Sequence, residues 1–187
     1  MRRFQISEWC RRFAEEVVRP GDLCMDATAG TGQDTVCLAR LVGERGMVLA
    51  YDIQEEALKQ TRERLKREGL ETRVRLIRKS HAAMEEDAGE GEASCIMFNF
   101  GYLPGGDHTI STKPETSVMA VDAGLRILKP GGLMCLCIYS GKDTGYEEKR
   151  ALLTHLKTLD QRQYLVIVSE YYNRKNDPPI PVLIYKK

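Results

Sequence analysis

The residues whose types and spacing carry the most chemistry run from Asp26 to Thr35: Asp26-Ala27-Thr28-Ala29-Gly30-Thr31-Gly32-Gln33-Asp34-Thr35. Glycines between a strand and a helix let the backbone turn sharply and bring main-chain N–H groups against a ligand. A nicotinamide-type loop, Gly-x-Gly-x-x-Gly, needs its third glycine at position 35, where this chain has Thr35. A carboxylate at Asp26 would repel a pyrophosphate and attract an ammonium group. Asp52, about 20 residues beyond Gly32, stands where a carboxylate accepts hydrogen bonds from ribose hydroxyls, and the Gln54 amide is in reach of the sugar or adenine. A ligand that joins a nucleoside to an amino acid meets all these conditions. Asp26, Thr28, Gly30, Thr31, Gly32, Gln33, Asp34, Asp52 and Gln54 are therefore the expected contacts of S-adenosylmethionine. Glycines that merely satisfy a turn would explain the loop, but not the two carboxylates at the strand ends.

Two further segments belong at the same edge of a sheet. Ser80-His81 follows the third expected strand and is placed to flank the adenine. The fourth ends in Met97-Phe98-Asn99-Phe100-Gly101-Tyr102-Leu103-Pro104-Gly105-Gly106-Asp107. This string resembles the Asn-Pro-Pro-Tyr loop of amino-group methyltransferases, with Asn99 and Tyr102 at the same spacing and Phe100-Gly101 in place of the prolines. The resemblance implies that Asn99 contacts both cofactor and substrate amine, and that the Tyr102 ring packs on the base. A neutral amide acceptor orients a nitrogen lone pair without protonating it, so the rate gain comes from positioning. A turn-rich connection serving backbone geometry alone is the competing reading.

The elements that must hold these residues alternate in type. Phe4, Trp9, Phe13 and Val17 space an amphipathic helix over residues 4–18, ended by Pro20-Gly21. Strands are expected at Leu23–Ala27, Met47–Asp52, Val74–Ile77, Ala93–Phe100, Leu133–Tyr139, Tyr164–Tyr171 and Val182–Tyr185. Helices are expected at Gln33–Val42, Glu55–Glu68, Pro114–Leu128 and Tyr146–Leu159, with Lys129-Pro130-Gly131-Gly132 stopping the third. This rhythm implies an α/β fold, Rossmann-like, with a seven-stranded, mostly parallel sheet and helices on both faces. The loop Tyr172–Pro181 is too short for a parallel crossover, so the last two strands should pair antiparallel, as in the class I methyltransferase variant. No repeat or low-complexity tract interrupts the pattern, and residues 1–187 read as one domain.

Composition narrows the class. Hydrophobic content of 42% and charged content of 29% are ordinary for a soluble globular chain, and a net charge of +1 does not by itself announce a nucleic-acid binder. Of six cysteines, Cys24, Cys95, Cys135 and Cys137 lie in apolar strand-like runs, and no CxxC pair occurs, so reduced, buried thiols are expected and no metal. No signal core and no apolar run long enough for a membrane span are present, which points to a cytoplasmic protein without membrane partners. The acidic stretch Glu85–Glu92 reads as a solvated loop.

Taken together, Asp26-Ala27-Thr28, Gly30, Gly32, Asp34-Thr35, Asp52-Ile53-Gln54, Ser80-His81 and the Asn99 to Asp107 string resemble the YtqB-like rRNA methylase family. That family is associated, as MnmM, with methylating 5-aminomethyl-2-thiouridine at the tRNA wobble position. The resemblance spans nearly the whole chain, including Tyr139-x-Gly141 and Asn176-Asp177-Pro178-Pro179. It implies a tRNA anticodon loop as partner and transfer of a methyl group to a primary amine. Tyr102, Gly105, Asp107 and Lys142 are then on the substrate side. Members carry Asn where this chain has Thr31 and His where it has Lys142. Asp107 and His108 are candidate bases. Arg2, Arg3, Arg11, Arg12, Lys149, Arg150, Arg174 and Lys175 are candidate phosphate contacts, though such clusters are more often solvated faces. A homodimer through the apolar face of the N-terminal helix fits the small size. Methylation of rRNA or a small amine, and a nucleotide- or RNA-binding module without catalysis, are the alternatives.

Overall fold

The structure, a computed structural model, describes residues 5–101, 112–140, 145–175 and 178–187. Seven strands form one sheet: β1 (Leu23–Asp26), β2 (Met47–Tyr51), β3 (Val74–Ile77), β4 (Ala93–Phe100), β5 (Leu128–Ile138), β6 (Tyr164–Val168) and β7 (Ile180–Lys186). Their order is β3-β2-β1-β4-β5-β7-β6. β1 to β5 are mutually parallel, and β7 enters between β5 and β6, antiparallel to both. The antiparallel pairing expected from the short last loop is present. The helices are α1 (Ile6–Val17), α2 (Gln33–Val42), α3 (Glu55–Glu68), α4 (Pro114–Ile127) and α5 (Gly145–Leu156).

The central strands are covered on both faces, so they read as continuous apolar runs whose side chains alternate between two cores. Ile96, Phe98 and Phe100 of β4, with Met134, Leu136 and Ile138 of β5, join Val121, Leu125, Leu152 and Leu156 of α4 and α5. Cys95, Met97, Leu133, Cys135 and Cys137 pack on the other face with Ile6, Cys10, Ala14 of α1 and Val36, Leu38 of α2. This alternation decides the site, because it turns Asn99 to the same face as Met97, toward α1 and α2. All six cysteines are free, and only Cys37 is not fully buried.

The N-terminal helix differs from its sequence pattern. The buried stripe is Ile6, Cys10 and Ala14, while Trp9, Phe13 and Val17 are half-buried along its flank. Small residues at the centre of the stripe let the helix axis approach β5 and β7. The stripe of Ile6, Cys10 and Ala14 is thus consumed within the chain, while Trp9, Phe13 and Val17 keep part of their surface exposed.

Other segments differ as well: β6 ends at Val168 rather than Tyr171, α5 ends at Leu156 rather than Leu159, and β7 starts at Ile180 rather than Val182. Lys129-Pro130-Gly131-Gly132 does not separate α4 from β5: α4 ends at Ile127 and the strand starts at Leu128. Leu128 pairs with Ala93 and Leu133 with Cys95, so the extra residues bulge out of the ladder. The acidic stretch begins as a 3-10 turn over His81–Glu86 that buries Met84. Glu85 pairs with Arg126, and Lys79 pairs with Glu86 and Asp87. Glu85, Glu86, Glu90 and Glu92 are exposed, so the stretch is solvated as expected, with surface ion pairs along its first turn.

Candidate active site

Strand order reverses beside β1, whose neighbours are β2 and β4, and ligands of open α/β sheets bind outside the strand ends at such a point. A cleft of about 620 Å³ opens there, within the range of small-molecule sites. Its wall comprises Ala27 to Thr31, Gln33, Asp34, Asp52 to Gln54, Lys79 to His81, Asn99 to Gly101, Thr112, Lys113, Thr116, Tyr139, Ser140 and Pro179, with Ser7 and Arg11 from α1.

The glycine loop is tied down on all sides. The Ala29 N–H donates to the Tyr51 carbonyl at 2.8 Å and the Gly30 N–H to Asp52 Oδ2 at 3.0 Å. From α3, Thr61 donates to the Gly30 carbonyl and Arg64 Nε to the Thr31 carbonyl at 2.7 Å. Gly32 caps α2 at φ 78°, and a Cβ there would stand 3.0 Å from the Thr61 Cα. Only glycine fits both the left-handed backbone and that approach. No side chain caps α2, which leaves its first amides for a ligand.

Asp52 is poised as expected for a ribose. Its two oxygens accept from the Gly30 and Gln54 amides, and each keeps a lone pair for a hydroxyl. Burial pushes its carboxyl up, opposed by those amides.

Asp26 is placed differently from its expected role. It is fully buried behind the loop, accepts from Thr35 Oγ1 at 2.5 Å and from the Thr28 N–H at 3.2 Å, and does not line the cleft. Burial, with the nearby Asp34 charge, pushes its carboxyl up to about 7. Thr35, the residue that replaces a third glycine, is thus the partner that holds Asp26. Asp26 shapes the loop from behind, and Asp34 is the carboxylate on the cleft wall.

Asp34 joins three elements. Asn99 Nδ2 donates to its Oδ2 at 2.7 Å, and Arg11 Nη1 donates to its Oδ1 at 2.7 Å. Arg11 also holds Glu8 at 2.8 Å. Burial pushes the Asp34 carboxyl up, while the Arg11 guanidinium and the Asn99 amide oppose this. Because a carboxylate only accepts, the Asn99 amide has one orientation: Nδ2 on Asp34, with Oδ1 an acceptor that takes no hydrogen bond from the described residues. The Asn99 N–H donates to Thr28 Oγ1 at 2.7 Å, fixing the strand end as well. Arg11, a candidate phosphate contact in the sequence, is instead committed to Asp34 and Glu8.

His81 lines the cleft and packs edge-on against Phe98 and Phe100, each at 6.1 Å between centroids. Its buried Nε2 has no hydrogen-bond partner among the described residues, and burial lowers the imidazole to about 4. A neutral ring with an unsatisfied nitrogen suits a purine edge. With Asp52 and the open α2 amides, the residues present fit S-adenosylmethionine.

The match to known proteins follows this geometry. Residues 48–185 match the model of the family described as "Putative rRNA methylase". The chain belongs to the rRNA methylase family. A "putative rRNA-methylase" from Clostridium thermocellum is 40% identical, with TM-score 0.94 over 98% of each chain. SMU.1697c, a "putative methyltransferase" from Streptococcus mutans solved in complex with SAH, is 34% identical, with TM-score 0.89 over 98% of each chain. The chloroplastic tRNA (mnm(5)s(2)U34)-methyltransferase of Arabidopsis thaliana is 35% identical over 180 residues. Those residues are 91% of this chain, which spans 65% of that relative's own length. The Rossmann-like class I methyltransferase fold expected from the sequence is the fold of this family member.

Within this family member, the structure brings Thr28, Gly30, Thr31, Gln33, Asp34, Asp52, Gln54, Ser80, His81 and Asn99 together around the cleft. Gly32 supports the loop from beside it. Tyr102, Gly105, Asp107, His108 and Lys142 lie outside the described residues. Sequence reasoning missed Ser7, Thr112, Tyr139 and the Arg11 to Asp34 pair. The helical grouping of Ser7, Glu8 and Arg11 was a usable signal; the partner of Arg11, at position 34, was not. Among the described residues no helix is long and apolar enough to cross a membrane, and no group of His, Cys, Asp and Glu is arranged to hold a metal.

Proposed function

We propose that this protein is an S-adenosylmethionine-dependent N-methyltransferase that acts on the aminomethyl group of 5-aminomethyl-uridine or its 2-thio form at the tRNA wobble position. The observation that carries this reading is the Asn99 amide, whose Nδ2 is committed to Asp34 and whose Oδ1 is left as a neutral acceptor. The similarity to a tRNA wobble-uridine methyltransferase supports the same substrate class.

When bound, S-adenosylmethionine supplies an electrophilic methyl carbon on a sulfonium. The chain's own residues do the remaining work. Asp52, Gln54 and the amides of the glycine loop bind the nucleoside part, with His81 as a neutral edge beside the base. An alkylammonium acceptor, with a pKa near that of lysine at about 10, must lose a proton before it attacks. A partly enclosed cleft favours the neutral amine, because desolvation disfavours its charged form. Asn99 Oδ1 then accepts a hydrogen bond from one of the two remaining amine N–H groups and so orients the lone pair. Methyl transfer would form the N–C bond at the expense of the S–C bond, and the extra proton on the resulting ammonium would leave for solvent. In this reading Tyr102, Gly105, Asp107 and Lys142 complete the acceptor side, and the anticodon loop, being single-stranded, offers its base for stacking and edge recognition.

Nucleoside mass spectrometry of tRNA from a deletion strain tests the assignment. The unmethylated aminomethyl uridine accumulates and returns to its methylated form on complementation. A normal nucleoside profile in the deletion strain would overturn it, and a change confined to rRNA would move the substrate there.

A further inference from the structure

Beyond Asn99 the cleft continues along a wall that a nucleoside joined to methionine does not need: Gly101, Thr112, Tyr139, Ser140 and Pro179. Among the described residues three aromatic rings line the cleft, His81, Phe100 and Tyr139, and they differ in what they offer. Phe100 is fully buried and stacks on Phe98 at 5.0 Å. His81 is packed edge-on against both phenylalanines. Tyr139 is 39% exposed, so among the described residues it is the cleft-lining ring with open surface.

The position of Tyr139 is fixed from two directions. Its N–H donates to the Phe100 carbonyl at 3.2 Å, which continues the β4–β5 ladder one residue past the strand. Its side chain lies against Gly101, which adopts φ 147°; a Cβ on Gly101 would stand 3.3 Å from the Tyr139 Cβ. The absent side chain at Gly101 leaves that flank of the ring uncovered on the same strand end that carries Asn99. The next residue, Ser140, accepts a hydrogen bond from Lys149 Nζ at 3.2 Å, so a cation stands one residue away from the ring. Burial holds the phenol up at about 12, and the ring stays uncharged at any physiological pH.

We infer that Tyr139 is a stacking platform for one face of the planar base of the acceptor nucleotide. The inference rests on the wobble-uridine reading and deepens it: Asn99 holds the amine at one end of the acceptor, and Tyr139 carries its ring. Aromatic faces bind bases with little regard to sequence, so this platform supplies affinity, and Asn99 supplies the choice of group.

The test is binding of a fluorescently labelled anticodon stem-loop that carries the aminomethyl uridine, measured by anisotropy with saturating SAH present and no turnover. Wild type, Tyr139→Phe and Tyr139→Ala are compared as full chains, and SAH affinity of each is measured by calorimetry. Tyr139→Phe binds the stem-loop as wild type does. Tyr139→Ala binds it on the order of ten- to a hundredfold more weakly, while SAH affinity is equal in all three. A stem-loop lacking the wobble base removes the difference between wild type and Tyr139→Ala. If Tyr139→Ala binds the modified stem-loop as tightly as wild type, the platform assignment falls and the substrate reading stands. If wild type neither binds nor methylates the stem-loop, both fall.

Discussion

Asn99 Nδ2 and Asp34 Oδ2 lie 2.7 Å apart, and the other oxygen of Asp34 takes Arg11 Nη1 at the same distance. A helix from the N-terminus, the first turn of α2 and the end of β4 thus meet in one network. Its two ionic side chains are 12% and 7% exposed, so it is shielded from water. Removing the Asp34 charge leaves Arg11 with Glu8 as its ionic partner, and losing the charged hydrogen bond costs about 1.5–3 kcal/mol. Asp34→Asn is therefore expected to lower stability in chemical denaturation by that order. It also allows the Asn99 amide to turn over, since the new side chain both donates and accepts. At a temperature where the variant is fully folded, kcat should still fall on the order of ten- to a hundredfold. An unchanged kcat in the folded variant would reduce Asp34 to a purely structural role.

Asn99→Ala separates two duties of one residue. If Asn99 orients the acceptor, turnover is suppressed while SAH affinity, measured by calorimetry, stays within a few-fold of wild type. Equal loss of both would assign Asn99 to the cofactor instead. Stability should change less than in Asp34→Asn, because Arg11 still neutralises Asp34.

Gly32→Ala tests the loop. The φ of 78° and the approach of Thr61 both oppose a side chain, and backbone strain of this kind costs about 1–3 kcal/mol. A lower denaturation midpoint with weaker SAH binding is the expected outcome. Wild-type values for both would mean the loop has room that its geometry denies.

Much of this architecture was legible before any coordinates, for identifiable reasons. Strands β1, β2 and β4 are apolar runs flanked by turns, and their ends fell within a residue of expectation because burial on both faces fixes their extent. β3, at the sheet edge with Arg75 exposed, was marked by its β-branched and aliphatic residues between turns. The carboxylate Asp52 and the loop glycines were legible because strand-end chemistry depends on local spacing. Asp26 was misjudged in role: its position was right, but sequence cannot say whether a carboxylate faces a ligand or Thr35 behind it. The Arg11 to Asp34 pair was illegible, since it depends on where α1 docks. Docking is set by Ile6, Cys10 and Ala14, and small apolar residues give a weaker periodic signal than Trp9 and Phe13. The start of β5 was missed for a related reason: Pro130-Gly131-Gly132 normally breaks structure, and only pairing of Leu128 with Ala93 carries the strand across them.

His81 gives a pH signature with a definite sign. Its folded value, about 4, lies below the ordinary 6.5, because burial disfavours the imidazolium. Between these values the unfolded chain binds the proton and the folded one does not. The stabilisation is therefore complete above pH 6.5 and is lost as the pH falls toward 4. His81→Asn should flatten the decline of stability with acid across this window, as read by urea denaturation at several pH values. NMR of the wild-type imidazole should show no titration midpoint near 6.5. A midpoint there would mean the ring is more open to water than its packing against Phe98 and Phe100 implies.

Thr112 and Glu148 hold the end of β4 to α4 and α5. Thr112 Oγ1 accepts from the Gly101 N–H at 2.9 Å, and the Thr112 N–H returns a bond to the Gly101 carbonyl at 3.2 Å. The hydroxyls of Ser117 and Thr112 both bond the Glu148 carboxylate, which is 1% exposed and pushed up by burial. These contacts fix Gly101 two residues from Asn99 and directly beside Tyr139. Thr112→Val keeps the volume but removes the acceptor and leaves the Gly101 amide unsatisfied, at a cost of about 1–3 kcal/mol. Glu148→Gln keeps an acceptor for Ser117 and removes a charge that burial disfavours. The two substitutions should therefore act in opposite directions above pH 7: Thr112→Val lowers the denaturation midpoint and kcat together, while Glu148→Gln leaves kcat near wild type and holds or raises the midpoint. A fall in kcat for Glu148→Gln at unchanged stability would show that the carboxylate charge itself, and not the hydrogen bonds it accepts, positions the end of β4.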